Sequence, residues 1–206
     1  KFNKADLKLV DHYTYVLLGD GDLQEGVVTE AMAFAGRYCL NKLICLFDSN
    51  DIQLDGPTDL ATNEDLKMKA ESLNWHYQLV CDGNDLLALD KAIKKAKSSD
   101  KPNIIEIKTI IGEGTDYAGS SKTHGAPIGK EGTAKLREAL GYEYPEFTVP
   151  EEVYADFKNS FKKRGEASFK QWENTLKIYE KTYPEALKAF NDTIEQRIDL
   201  DFDQII

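Results

Sequence analysis

The sequence predicts an α/β protein, a parallel sheet with flanking helices followed by a helical linker arm. Three observations predict it. From Tyr13 to about Thr109, short β-branched or apolar runs alternate with longer segments of helical period, the pattern of βαβ units. The first of those runs stops in "YVLLGDG", a glycine turn that carries a single carboxylate. Beyond Pro150 the chain becomes charged and helical in period through to Ile206.

The strand candidates are Tyr13 to Gly19, Lys42 to Asp48, Trp75 to Val80 and Asn103 to Thr109. Three helix candidates lie between them. From about Glu25 to Leu40, Val28, Ala31, Met32, Ala35 and Cys39 form an apolar stripe at three- and four-residue spacing. From about Asn63 to Leu73, Leu66, Met68, Ala70 and Leu73 repeat it, with Asn63 as the expected cap. From Asp85 to Ser98, Leu86, Leu89, Ala92, Ile93 and Ala96 face the sheet while lysines face water. The segment Ile110 to Gly132 is glycine-bearing and without period, and structureless stretches of that length are disordered or functional. The prolines of "YPEFTVPEEV" mark a boundary, giving a first domain over 1–149 and a linker over 150–206. In that linker "SFKQWENTLKIYEKTY" and "PEALKAFNDTIEQRI" read as two surface helices without a core of their own.

Composition narrows the class. The net charge of -10 over 206 residues leaves no basic block to neutralise phosphates, which argues against duplex nucleic acid as a partner. No apolar run reaches the ~18 residues of a membrane helix, and "KFNKADLKLVDHY" lacks the apolar centre of a signal peptide. Cys39, Cys45 and Cys81 lie in apolar surroundings without a CxxC, which predicts buried, reduced thiols and a cytoplasmic protein.

Ligands of open parallel sheets bind at the carboxyl ends of the strands. Gly19, Asp20 and Gly21 occupy that end of the first strand, and Asp48, Asn50, Asp51 and Asp55 that of the next. Asp20 and Asn50 offer hard oxygen donors, which suits Mg²⁺, or Ca²⁺, held jointly with phosphates. The flanking glycines admit close phosphate approach, and a helix starting near Glu25 points its positive end the same way. As an EF-hand loop the segment fails, with Glu25 where glycine is required and Ala31 where the bidentate glutamate is required. The alternative is a tight turn in which Asp20 caps a helix.

GDG at one strand tip, with an asparagine about thirty residues later at the next, resembles the thiamine diphosphate motif. "HYTYVLLGDGDLQEG", "FDSNDIQLDG", "KTIIGEG" and "THGAPIG" together resemble transketolase, in order and at matching intervals over essentially the whole chain. The resemblance implies a thiamine diphosphate-binding fold in which Asp20 and Asn50 are side-chain Mg²⁺ ligands and the Ile52 carbonyl is a third. It places Gly19 and Gly21 against the diphosphate and Leu54 and Ile111 beside the thiazolium. It makes His124 a hydrogen-bonding proton carrier near the diphosphate and the reacting oxygens. Glu25 and Glu30 would face a dimer partner in a carboxylate network joining two active sites, although both also suit a helix start by charge alone. His12 and His76 are expected to be structural.

The implied activity is transfer of a two-carbon ketol unit between sugar phosphates in the pentose phosphate pathway. The alternatives are another thiamine enzyme such as a dihydroxyacetone synthase, and a non-catalytic oligomerisation module that keeps the fold. Transketolases also carry an earlier part of this domain and a pyrimidine-binding domain with the activating glutamate. Neither is in these residues, so the chain is expected to be a piece of a longer enzyme, inactive alone and prone to homo-oligomerise. Glu113 in "GEG" is acidic at a position where an aromatic residue would not be surprising, which leaves sugar preference open.

Overall fold

A computed structural model of the protein describes residues 1–197. The last residues of the expected linker, 198–206, lie outside the described residues. The chain forms two compact units, one of His12–Glu143 and one that joins Lys1–Asp11 to the chain from Tyr144 onward.

The first unit is built on β1 (Thr14–Gly19), β2 (Leu43–Ser49), β5 (His76–Val80) and β6 (Asn103–Lys108), in the order β1-β2-β6-β5 with every pairing parallel. The two central strands carry apolar residues on both faces because both faces are covered by helices. Ile44, Ile104 and Ile105 are almost fully buried. On one face Cys45, Phe47 and Ile104 pack with Met32 and Ala35 of α2 (Gly26–Arg37), Ala70 of α3 (Leu66–Ser72) and Trp75. On the other, Ile44, Val80 and Ile105 pack with Ala92 and Ala96 of α4 (Leu86–Lys97). The Trp75 indole N–H donates to Met32 O at 2.8 Å. A side chain on Gly36 would meet Leu73 O at 1.7 Å, so only glycine lets α2 approach there.

Several local expectations are corrected. The helix expected from about Glu25 starts at Gly26 with Glu25 as its extended N-cap and ends at Arg37, short of Leu40, and a short helix α1 (Asp20–Gln24) that was not foreseen precedes it directly after β1. Asp65, not Asn63, caps α3, accepting the Met68 N–H, and Met68 faces solvent. Asp85 does cap α4, accepting the N–H groups of Leu87 and Ala88, but Leu86 in its first turn is 74% exposed. Cys45 is buried, whereas Cys39 and Cys81 are exposed thiols, because both fall just past the ends of their elements. The loop after β6 ends earlier than expected, with α5 spanning Gly129–Ala139. A small antiparallel hairpin, β3 (Ile52–Gln53) with β4 (Gly56–Pro57), was not foreseen.

The second unit holds α6 (Glu151–Phe157), a π-helical stretch Lys158–Lys162, α7 (Lys163–Thr182) and α8 (Pro184–Ile194). These helices have a small core, contrary to expectation, because the first residues of the chain supply its other half. Leu9, Tyr179 and Leu187 are buried together, with Phe2, Leu7 and Trp172 against them. Tyr179 Oη donates to Phe2 O at 2.7 Å and Trp172 Nε1 to Leu9 O at 3.0 Å.

Truncating Ile105, fully buried between two strands and α4, leaves a cavity. Ile105→Ala is expected to lower the stability of the sheet unit by about 2–5 kcal/mol. Urea unfolding followed by Trp75 fluorescence measures this.

Candidate functional site

The tips of β1 and β2 are tied by one carboxylate. Asp20 Oδ2 accepts the N–H of Asn50 at 3.1 Å and of Asp51 at 3.2 Å. Its other oxygen has no hydrogen-bond partner among the described residues. Asp51 supports the turn with a left-handed backbone, φ 62°. Asn50 Oδ1 accepts the Ile52 N–H at 3.1 Å, and Asn50 Nδ2 donates to Asp48 at 3.2 Å. Thr109, just past β6, donates its hydroxyl to the same Asp48. The hairpin is drawn in by Gln24 Nε2, which donates to Gln53 Oε1 at 2.9 Å.

Asp20 is half-buried, and desolvation raises its pKa above the usual aspartate value. The two backbone N–H groups and Lys108 oppose that rise, while Asp51 adds to it. Next to it lies a polar network that the sequence reading missed. Glu106, 13% exposed, accepts from Tyr77 Oη at 2.7 Å, Ser49 Oγ at 3.0 Å and Lys108 Nζ at 3.0 Å. Lys108 also reaches Ser49 Oγ at 2.9 Å and Asp51 at 3.4 Å. Burial works against both charges, yet these bonds outweigh it, lowering the Glu106 pKa and raising that of Lys108. The signal was readable, because Glu106 and Lys108 stand two apart and so share one face of a strand that also carries Ile104, Ile105 and Ile107.

The residues line a polar cavity of about 220 Å³ that includes Asp20, Ser49, Asp51, Glu106 and Lys108. A larger apolar one of about 570 Å³ reaches Gly19, Asp48 and Thr109 from the α4 side. Gly19, Asp20, Asn50 and Ile52 are thus brought together. No hydrogen bond among the described residues joins Leu54, Ile111, His124, Glu25 or Glu30 to them. Leu54 is exposed at the hairpin tip, and Glu25 and Glu30 are exposed on and before α2. Ile111 is half-buried, and its carbonyl accepts the Gly119 N–H at 2.8 Å. His124 is exposed at the end of a 3-10 turn, Ser121–Thr123. That loop is tightly built, since Gly112 at φ 65° leaves only 2.7 Å between a would-be Cβ and Thr123. Glu113 accepts from Asn84 Nδ2 at 3.1 Å. His76 pairs with buried Asn103 at 2.7 Å, a structural contact at the opposite end of β5.

The donor set suits a hard cation. Asp20, Asn50 and the Ile52 carbonyl offer one charged and two neutral oxygens, and Mg²⁺ takes few protein ligands, filling its shell with phosphate and water. Among the described residues there is no group of three or more His, Cys, Asp or Glu that could hold a metal.

A parallel sheet with polar groups gathered at the carboxyl ends of adjacent strands defines a ligand-binding α/β domain. Comparison with known proteins gives its family. The family model for the transketolase thiamine diphosphate-binding domain matches residues 1–199, and the chain belongs to that family. A transketolase of Staphylococcus epidermidis is 50% identical over 193 residues, which cover 92% of this chain and 29% of that protein. The solved transketolase of Leishmania mexicana superposes with a TM-score of 0.87 at 38% identity, covering 93% of this chain and 29% of that one. Transketolase of Pichia stipitis, solved with sedoheptulose 7-phosphate, gives 0.88 at 34%, covering 98% and 30%. The chain therefore spans somewhat under a third of the length of the relatives it matches.

The lowered Glu106 pKa has a consequence for stability. A depressed carboxylate stabilises the fold above its unfolded value near 4.5, and the contribution is lost as pH falls through that value toward the folded one. Glu106→Gln is expected to lower the urea midpoint at neutral pH, with the gap from the parent chain narrowing in acid. A constant gap across that range would contradict the assignment.

Proposed function

We propose that this chain is the diphosphate-binding part of a transketolase that moves a two-carbon ketol unit from a ketose phosphate to an aldose phosphate, a step of the pentose phosphate pathway. The observation that carries this reading is the tie between Asp20 and the Asn50 turn, which sets a carboxylate and a carboxamide at adjacent strand tips. Asp20, Asn50 and the Ile52 carbonyl would hold Mg²⁺, with Ca²⁺ as a substitute, and Gly19 and Gly21 would lie against the diphosphate. Leu54 and Ile111 would give the cofactor apolar contacts. His124 would hold or move a proton near the reacting oxygens. Bound thiamine diphosphate supplies stabilisation of the negative charge on the ketol carbon, and the protein's part is to anchor, orient and exclude water.

Glu25 and Glu30, exposed at the start of α2, would meet a second subunit in the assembled enzyme. Because the relatives are about three times longer, turnover is proposed to need the rest of such an enzyme, including a pyrimidine-binding domain. Sugar phosphates as substrates accord with the ligand of the Pichia stipitis structure. The exposed free thiols of Cys39 and Cys81 and the lack of any helix able to cross a membrane among the described residues accord with a cytoplasmic site of action.

Reconstitution tests the reading. With the remaining segments of a transketolase restored, xylulose 5-phosphate and ribose 5-phosphate are expected to turn over in a coupled assay, and the 206-residue chain alone is not. No turnover after restoration would overturn the function, and full turnover by the chain alone would overturn the need for more. Asp20→Ala in the restored enzyme is expected to weaken Mg²⁺-dependent cofactor binding by calorimetry more than about 100-fold, since even outer-shell changes cost about 10–100-fold.

A further inference from the structure

The turn that carries Asn50 and Ile52 lies beyond the last ladder pairs, Gly19 with Asp48 and Ser49 with Lys108, so the sheet itself no longer fixes it. Asp51, at its centre, is held at three points. Its N–H donates to Asp20 Oδ2 at 3.2 Å, its C=O accepts the Thr58 N–H at 3.0 Å, and its carboxylate accepts from Lys108 Nζ at 3.4 Å. Its backbone is left-handed, φ 62°, a conformation that residues other than glycine keep only where surrounding contacts fix it. Lys108 is itself fixed. Its ammonium has three N–H groups, and Glu106 Oε1 at 3.0 Å, Ser49 Oγ at 2.9 Å and Asp51 Oδ1 give each of them an acceptor. Ser49 Oγ donates to the same Glu106 oxygen at 3.0 Å, and Tyr77 Oη donates to the other at 2.7 Å. Groups from β2, β5 and β6 thus brace one ammonium against one turn.

We propose that Lys108, braced by Glu106 and Ser49, is a positioning residue: it holds Asp51 so that Asn50 Oδ1 and the Ile52 carbonyl keep their places as Mg²⁺ donors. This rests on Asp20, Asn50 and Ile52 being the donors of that cation. The sign of the effect separates positioning from plain electrostatics. Lys108 lines the same cavity as Asp20, so its charge repels a cation held there, and by charge alone its removal would tighten Mg²⁺ binding. Loss of a position does the opposite. Changing a group that orients a metal ligand weakens metal binding by about 10–100-fold.

Titration of the restored enzyme with Mg²⁺ in the presence of thiamine diphosphate, followed by calorimetry, tests this. Lys108→Met is expected to weaken Mg²⁺ binding about tenfold or more. Ser49→Ala, which removes one brace and leaves the charge, is expected to give a smaller loss of the same sign. In an Asp51→Gly background, where a left-handed backbone is free of strain, Lys108→Met is expected to add little, because the lysine acts through that carboxylate. Lys69→Met removes another cation lining the same cavity, one paired with Glu64, and is expected not to weaken binding. In the metal-free enzyme, hydrogen exchange of the Asn50 and Asp51 amides, both given to Asp20, is expected to speed up in Lys108→Met, while the Leu46 amide within β2 exchanges as in the parent. Mg²⁺ held by Lys108→Met as tightly as by the parent or more tightly, an undiminished effect in the Asp51→Gly background, or equal acceleration at Leu46 would overturn the proposal. A parent enzyme that takes up no Mg²⁺ would overturn the metal reading beneath it.

Discussion

One carboxylate holding two backbone amides ties together the tips of β1 and β2. Asp20 closes β1, and its Oδ2 takes the N–H groups of Asn50 and Asp51 as β2 runs out. A strand tip is otherwise free to splay, because the ladder below it constrains only residues within the sheet. Here the last residue pair of the ladder, Gly19 with Asp48, is followed at once by a side-chain crosslink. The turn that presents Asn50 and Ile52 therefore has a fixed position relative to the first strand. Half-burial makes that crosslink stronger than it would be in water and makes the charge costly, which is why the pKa of Asp20 moves up.

The surroundings manage a dense acidic end. Asp20, Asp22, Asp48 and Asp51 crowd two strand tips, and Lys108 stands beside them, held by Glu106, Ser49 and Asp51. Tyr77 completes the set from the outer strand β5, so polar groups from three neighbouring strands share one network. Every buried side-chain nitrogen and oxygen among the described residues has a hydrogen-bond partner. Such satisfaction lets a polar layer persist against the apolar core formed by Phe47 and Ile104 without the cost of orphaned groups.

Much of this was legible one residue at a time. The four strands follow from β-branched runs, and α4 from its stripe and the Asp85 cap. Gly19, Asp20 and Asn50 were marked by a pattern of turn residues at strand ends. What failed were features set by distant neighbours. Asp65 displaced Asn63 as a cap because a cap is chosen by which side-chain oxygen reaches a free N–H of the first turn, and Asn and Asp are both good caps by residue type. Leu86 and Met68 match the apolar period yet face water, since a helix face is buried only where another element lies over it. The core shared by Phe2, Leu9, Tyr179 and Leu187 joins residues more than 160 positions apart and leaves no local trace.

The sequence by itself determined the parallel α/β class and the transketolase resemblance and marked Asp20 and Asn50 as candidates at the strand ends, because periodicity and turn chemistry are local properties. Only the tertiary structure decided that Asp20 takes the backbone N–H groups of Asn50 and Asp51, and that Glu106 and Lys108 share a network with Ser49 and Asp51 beside them. Each of those facts depends on which strands become neighbours, and strand order is set by long-range burial that no stretch of the chain records alone.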